Sequence, residues 1–107
     1  MVDESRIAAL KEVLTANPDD AFARYALGLE YSGAGETDAA VAEFQRLLLS
    51  HPDYTNGYFM AAQTLARADR NDEAKALLRQ GIESARRTRN QHAQAEMEGM
   101  LDELDRA

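Results

Sequence analysis

Cysteine is absent from this 107-residue chain, which excludes disulfide frameworks, thiolate zinc sites and cysteine nucleophiles. No apolar run approaches the ~18 residues needed to span a bilayer, so no membrane partner is expected. The opening residues, Met1 to Arg6, have neither the basic start nor the apolar stretch of a secretory signal. With no disulfide either, the expected location is cytoplasmic. Histidine is limited to His51 and His92. Positive charge is also short: twelve basic residues stand against nineteen acidic ones, a net charge of −7. A polyanion is therefore repelled on average, and nucleic acid is not an expected partner. What remains is 45% hydrophobic and 29% charged, a balance that suits one soluble globular domain rather than a disordered tail.

Apolar residues recur at helical spacing in six segments, and none shows the alternation of a strand. The first segment, 3–16, puts Ile7, Leu10, Val13 and Leu14 on one face. Pro18 ends it, since proline disfavours helix in the residue before it. Asp19 or Asp20 caps the second helix, which carries Phe22, Tyr25, Leu27, Leu29 and Tyr31 and stops at Gly33-Ala34-Gly35. Thr37 is the expected cap of the third, with Val41, Phe44, Leu47 and Leu48. The fourth spans about 55–68, and the fifth carries Ala74, Leu77, Leu78, Gly81 and Ile82. After the connector Arg86-Arg87-Thr88-Arg89-Asn90, the sixth carries Ala93, Met97, Met100, Leu101 and Leu104. Short connections make successive helices antiparallel, so the expected fold is all-α and built of hairpins.

The chain also repeats. A shift of 34 residues brings Leu10 onto Phe44 and Leu78, and Leu14 onto Leu48 and Ile82. It brings Pro18 onto Pro52, Tyr25 onto Phe59, Asp38 onto Asp72 and Ala40 onto Ala74. A fixed period of this size over two helices marks a solenoid, in which stacked hairpins bury faces that none could hide alone.

Leu27-Gly28, Tyr31, Ala40, Phe44 and Pro52 match the pattern W-x2-L-G-x2-Y, A-x3-F, P in type and spacing, with Arg24 in the tryptophan place. A second, degenerate copy has Tyr58 in that place, then Ala61-Ala62, Leu65, Ala74 and Leu78, with Arg86 instead of the proline. In this the chain resembles the tetratricopeptide repeat family. The resemblance implies a right-handed superhelical stack of antiparallel helix hairpins, an α-solenoid of about six helices. It divides a single domain, 1–107, into a half-repeat helix at 3–16, repeats at 21–54 and 55–88, and a closing helix at 90–105. Gly28, Ala40, Ala62 and Ala74 are small where helix backbones approach closely.

No catalytic set emerges, and no enzyme activity, cofactor or metal is expected. His51 lies in a Ser-His-Pro-Asp turn, where an exposed side chain is the simpler reading. His92 and Glu96 are one helical turn apart, but two ligands do not make a metal site. Gly33-Ala34-Gly35 lacks the lysine and strand of a phosphate loop. The basic run 86–89 has no aromatic near it, since every phenylalanine and tyrosine lies at or before Phe59. Cations at a helix C-terminus explain it better.

In the resembled family, the first helix of each hairpin lines a concave groove. That implies binding residues Phe22, Tyr25 and Leu29 in one repeat and Asn56, Phe59, Gln63 and Arg67 in the next. Phe22, Tyr25 and Phe59 are expected to be exposed anchors, with the amides of Asn56 and Gln63 holding a ligand's backbone. The competing expectation is that Tyr25 and Phe59 pack against neighbouring helices. The positions at which one branch of the family clamps a terminal carboxylate hold Phe22, Tyr25, Ala26, Leu29, Asn56 and Met60, so a strongly acidic peptide is not expected. The implied role is a non-enzymatic adaptor or scaffold that binds a peptide or amphipathic helix of a partner protein. The alternative is a homodimer through terminal helices or groove, because α-helical residues Ile7, Leu10, Val13 and Leu14 are thinly covered on one side.

Overall fold

A computed structural model describes residues 4–107. The helices are α1 (Glu4–Ala16), α2 (Ala21–Gly33), α3 (Thr37–Ser50), α4 (Thr55–Arg67), α5 (Asn71–Arg87) and α6 (Gln91–Arg106), and among the described residues there is no strand. The expected start of the first helix, Asp3, lies outside the described residues. Asp20 caps α2, its carboxylate accepting from the Ala23 amide at 2.9 Å. Thr37 is not the cap of α3 but its first residue, and Glu36 stands in the cap position without a side-chain bond. Gly35, at φ 77°, reverses the chain so that the Glu36 amide donates back to the Tyr31 carbonyl. The helix therefore begins directly after it. Arg86 and Arg87 form the last turn of α5, where cations at a helix C-terminus are expected, and the connector is shorter, beginning at Thr88.

Hairpins α2–α3 and α4–α5 make up the centre, with α1 packed on α2 and α6 on α5. The main core gathers Ala40, Phe44, Tyr58, Ala61, Ala62, Leu65, Ala74, Leu78, Ala85 and Met97. A smaller cluster of Ile7, Leu14, Ala23 and Leu27 joins α1 to α2. Two hydroxyl pairs lie inside this packing. Thr64 donates to the Met60 carbonyl, which leaves Ser32 to donate to Thr64 at 2.7 Å. Thr55 and Ser84 pair at 2.8 Å. Among the described residues no buried side-chain polar atom lacks a partner, so these groups incur no desolvation penalty that is left uncompensated.

Arg24 shows how a cation fills the place of an indole. Its Nη1 donates to Glu43 Oε1 at 2.7 Å and its Nη2 to the Pro18 carbonyl at 3.0 Å, with both side chains largely covered. Tyr58, one period on, donates its hydroxyl to the Pro52 carbonyl at 2.8 Å. The two residues thus tie equivalent helices to equivalent prolines by different chemistry. Arg24→Ala leaves the largely covered Glu43 carboxylate without its main cation, since Arg46 is a more distant 3.6 Å. The expected loss, read from urea denaturation, is about 1–2 kcal/mol, below that of a fully buried pair because water still screens this one.

Gly35 and Asp69, also one period apart, both have positive φ, as does Arg89 at 56°. A long side chain gains nothing from this left-handed conformation, which costs an L-residue about 1 kcal/mol. Arg89→Gly is therefore expected to raise stability by about that amount in thermal unfolding.

Candidate functional site

The even-numbered helices meet one another in succession, α2 with α4 and α4 with α6, whereas among the described residues no two odd-numbered helices bring their backbones as close. The stack is therefore tighter on its even side and curves toward it. The molecule measures 39 × 28 × 18 Å along its principal axes, the least of these being roughly two helix diameters of ~10 Å. One layer holds the even helices and the other the odd ones, so the even helices have a face open to solvent. Phe22, Tyr25 and Leu29 stand on α2, and Asn56, Phe59, Gln63 and Arg67 on α4.

Their exposures differ from the expectation of three open aromatics. Phe22 is 71% exposed, but Tyr25, Leu29 and Phe59 are half-buried against the main core. Tyr25 is held by its neighbours. Its ring sits 6.1 Å from that of Phe44, a fully buried side chain, and 5.3 Å from that of Tyr54. Phe59 packs against the main core, of which Ala61 and Ala62 of the same helix are part. Gln63 is half-buried, and Asn56 and Arg67 are exposed.

Asn56 does not offer its whole amide to solvent. Its Nδ2 donates to the Tyr25 hydroxyl at 2.6 Å, joining α2 to α4. What stays available is the Asn56 carbonyl oxygen, its second N–H and the Tyr25 proton. Burial first, and then the neighbouring Tyr54, push the Tyr25 hydroxyl above its ordinary value, with the Asn56 hydrogen bond acting the other way. Burial also raises Tyr54. Both phenols are neutral donors at physiological pH. Tyr54 is the residue that sequence reasoning missed. The 34-residue register gives no hint of it, since Asp20 stands at the equivalent position.

The remaining candidates are occupied by the fold. His51 Nε2 lies 3.1 Å from the Asp19 carbonyl and is half-buried rather than exposed, because that carbonyl belongs to the preceding turn. His92 and Glu96 pair at 3.2 Å on an open helical face, and no third metal-ligating side chain joins them among the described residues. Arg86 pairs with Glu83 and, at 3.8 Å, with Glu98; Arg87 holds Asp53 at 2.8 Å. Part of the basic run is thus engaged in ion pairs. Among the described residues no helix is long and apolar enough to cross a membrane.

Comparison with known proteins gives one consistent result. Two tetratricopeptide repeat family models match, over residues 31–97 and 1–59. A TPR repeat-containing protein of Pseudomonas aeruginosa is 30% identical over 101 residues, which is 94% of this chain and 96% of that protein. The solution structure of a tetratricopeptide repeat domain protein from Salinibacter ruber superposes with a TM-score of 0.75 and 33% identity, covering 82% of this chain and 89% of the other. A protein of Bordetella parapertussis shares the fold at a TM-score of 0.80 and 23% identity, covering 94% and 87%.

Proposed function

Since the chain belongs to the tetratricopeptide repeat family, whose members are generally non-enzymatic protein–protein interaction modules, we propose that it binds a peptide or amphipathic helix along α2 and α4. In this reading 21–54 and 55–88 are its two full repeats, flanked by a half-repeat helix at 3–16 and a closing helix at 90–105. The observation that carries it is the close succession of the even helices, with Phe22 left 71% exposed beside a half-buried apolar surface. A solvent-exposed phenylalanine next to Tyr25, Leu29 and Phe59 favours apolar ligand residues. Gln63, Arg67 and the free edge of Asn56 supply hydrogen bonds that fix register. Tyr25 and Phe59 contribute as a pre-ordered floor, which lowers the entropy lost on binding.

Peptides selected from a displayed random library give a direct test. Phe22→Ala combined with Arg67→Ala is expected to weaken their binding about tenfold. Both side chains are exposed, so stability is expected to stay within about 0.5 kcal/mol. Undiminished binding by the double variant would place the site elsewhere.

The second reading is self-association through the ends of the stack. It is favoured by α1, where Leu10 is only half-buried and Val13 is 42% exposed.

A further inference from the structure

We infer that the chain pairs with a second copy of itself across the outer ridge of α3, the Leu49 side chain of each copy seating in the cleft between α3 and α5 of the other. This goes beyond peptide capture and uses neither the groove of α2 and α4 nor the exposed side of α1. Leu49 is 85% exposed, more than any other large hydrophobic side chain among the described residues. The stacking of repeats does not require a leucine there. One period away in either direction stand Thr15 and Glu83, both polar and exposed. A single exposed leucine is ordinary; the surface beside this one is what gives it a role.

Asp38, Ala42, Gln45 and Leu49 are exposed and lie on one line along the outside of α3. Next to this line α3 and α5 stand apart, and an open cleft of about 350 Å³ lies between them. Its floor is apolar, formed by the buried side chains of Val41, Leu65 and Leu77. Its walls carry Ala42 and Ala76, exposed residues one period apart and small enough to admit a branched side chain. Arg70, paired with Asp38 and Glu73, marks one end. The cleft thus offers an apolar seat, and the same ridge carries the apolar group that fits it.

A two-fold axis passing between Gln45 and Arg46 lays α3 antiparallel on its copy. Ala42 and Leu49 then lie on opposite sides of the axis, each ~5 Å away at 1.5 Å per residue, so Leu49 of one copy stands over Ala42 of the other, twice. Arg46 keeps to the far edge of the ridge, beside Asp19 and Asp20, with Glu43 3.6 Å away. Charge favours a second copy over a charged partner. On α3, Asp38 and Glu43 stand against Arg46; on α5, Asp72, Glu73 and Glu83 stand against Lys75, Arg79, Arg86 and Arg87. The two helices together are neutral, although the chain carries −7. Like meets like on this face without net repulsion, and a strongly charged partner of either sign gains nothing. The layer is one broad side of the molecule, 39 × 28 Å, with room for the ~800 Å² per partner of a standard interface.

Sedimentation velocity on the full chain over a concentration series tests this, in ~0.15 M salt, where a Debye length of ~8 Å screens the net charge. Wild type is expected to pass from monomer to dimer and no further, and Leu49→Arg to raise the dissociation constant more than about tenfold. A cation in the last turn of α3 suits the helix dipole, so circular dichroism is expected to show an unchanged fold. Ala42→Arg fills the cleft from the other side of the contact and carries the test if Leu49→Arg unfolds. Because the chain has no cysteine, Gln45→Cys gives a single thiol beside the axis. A short bismaleimide is expected to join two copies of that variant and to leave Thr15→Cys on α1 unjoined. A wild type that stays monomeric, or that grows past the dimer, would overturn the inference. So would a dimer that survives Leu49→Arg and Ala42→Arg, or one that crosslinks through Thr15→Cys and not Gln45→Cys; either result favours contact through the ends of the stack. Peptide binding by Leu49→Arg is expected to match wild type, so failure here leaves the groove reading to its own test.

Discussion

Phe44→Ala is expected to lower the unfolding free energy by about 4 kcal/mol, the range for emptying a fully buried aromatic site. Phe44 has no solvent exposure, touches Gly28 of α2 and supports the ring of Tyr25. Its loss thus opens a cavity in the α2–α3 hairpin and removes the backing of the candidate groove. Helices on either side keep their own contacts through Tyr58, Leu65 and Leu78. Chemical denaturation followed by circular dichroism reads the stability. A shift below about 2 kcal/mol would mean that the surroundings collapse into the space, which is the least costly response to such a deletion.

Gly28→Ala is expected to cost about 2 kcal/mol, although alanine is the better helix former. A β-carbon at residue 28 would stand 2.6 to 2.9 Å from three atoms of the Phe44 ring. A fully buried ring has little freedom to retreat, and overpacking of this kind costs about 1–3 kcal/mol. That outweighs the gain of up to ~1 kcal/mol in helix propensity. Gly99→Ala in α6 isolates the second effect, because a β-carbon there meets nothing within 4 Å. It is expected to raise the melting temperature where Gly28→Ala lowers it. In a Phe44→Leu background the penalty at residue 28 should shrink, since a smaller side chain leaves room for the methyl group. An equal penalty in both backgrounds would show that the strain lies in the backbone and not in the ring contact.

The relation between these two residues also explains why the repeat was readable. Gly28 and Phe44 are sixteen positions apart by number, yet each is required by the other: a close helix crossing needs a missing β-carbon on one side and a large ring on the other. Such paired requirements leave a mark in the amino-acid pattern. The same holds for Ala40, Ala62 and Ala74, which are small and completely buried. Asp20 as a cap was legible because capping is local.

The groove was less legible, for a reason visible at Tyr25. Helical spacing places Phe22, Tyr25 and Leu29 on one face, but it says nothing of how deep that face lies. Depth is set by residues remote in sequence. Tyr54 leans on the Tyr25 ring, Asn56 takes its hydroxyl and Phe44 backs it. Phe22, a single turn earlier, lacks such neighbours and remains exposed. Arg24 is a similar case. As a departure from the family pattern it could have been a defect or a functional substitution. Its contacts with Glu43 and the Pro18 carbonyl make it a structural replacement.

By itself, the order of residues determined the helices, their antiparallel hairpins and the period with which they stack, because periodicity, capping and small-residue contacts are encoded over short distances or repeated at a fixed one. Only the tertiary structure decided which aromatic is exposed and which amide is already engaged. Those properties are differences in burial and pairing between residues tens of positions apart, and they exist only once the helices have been brought against one another.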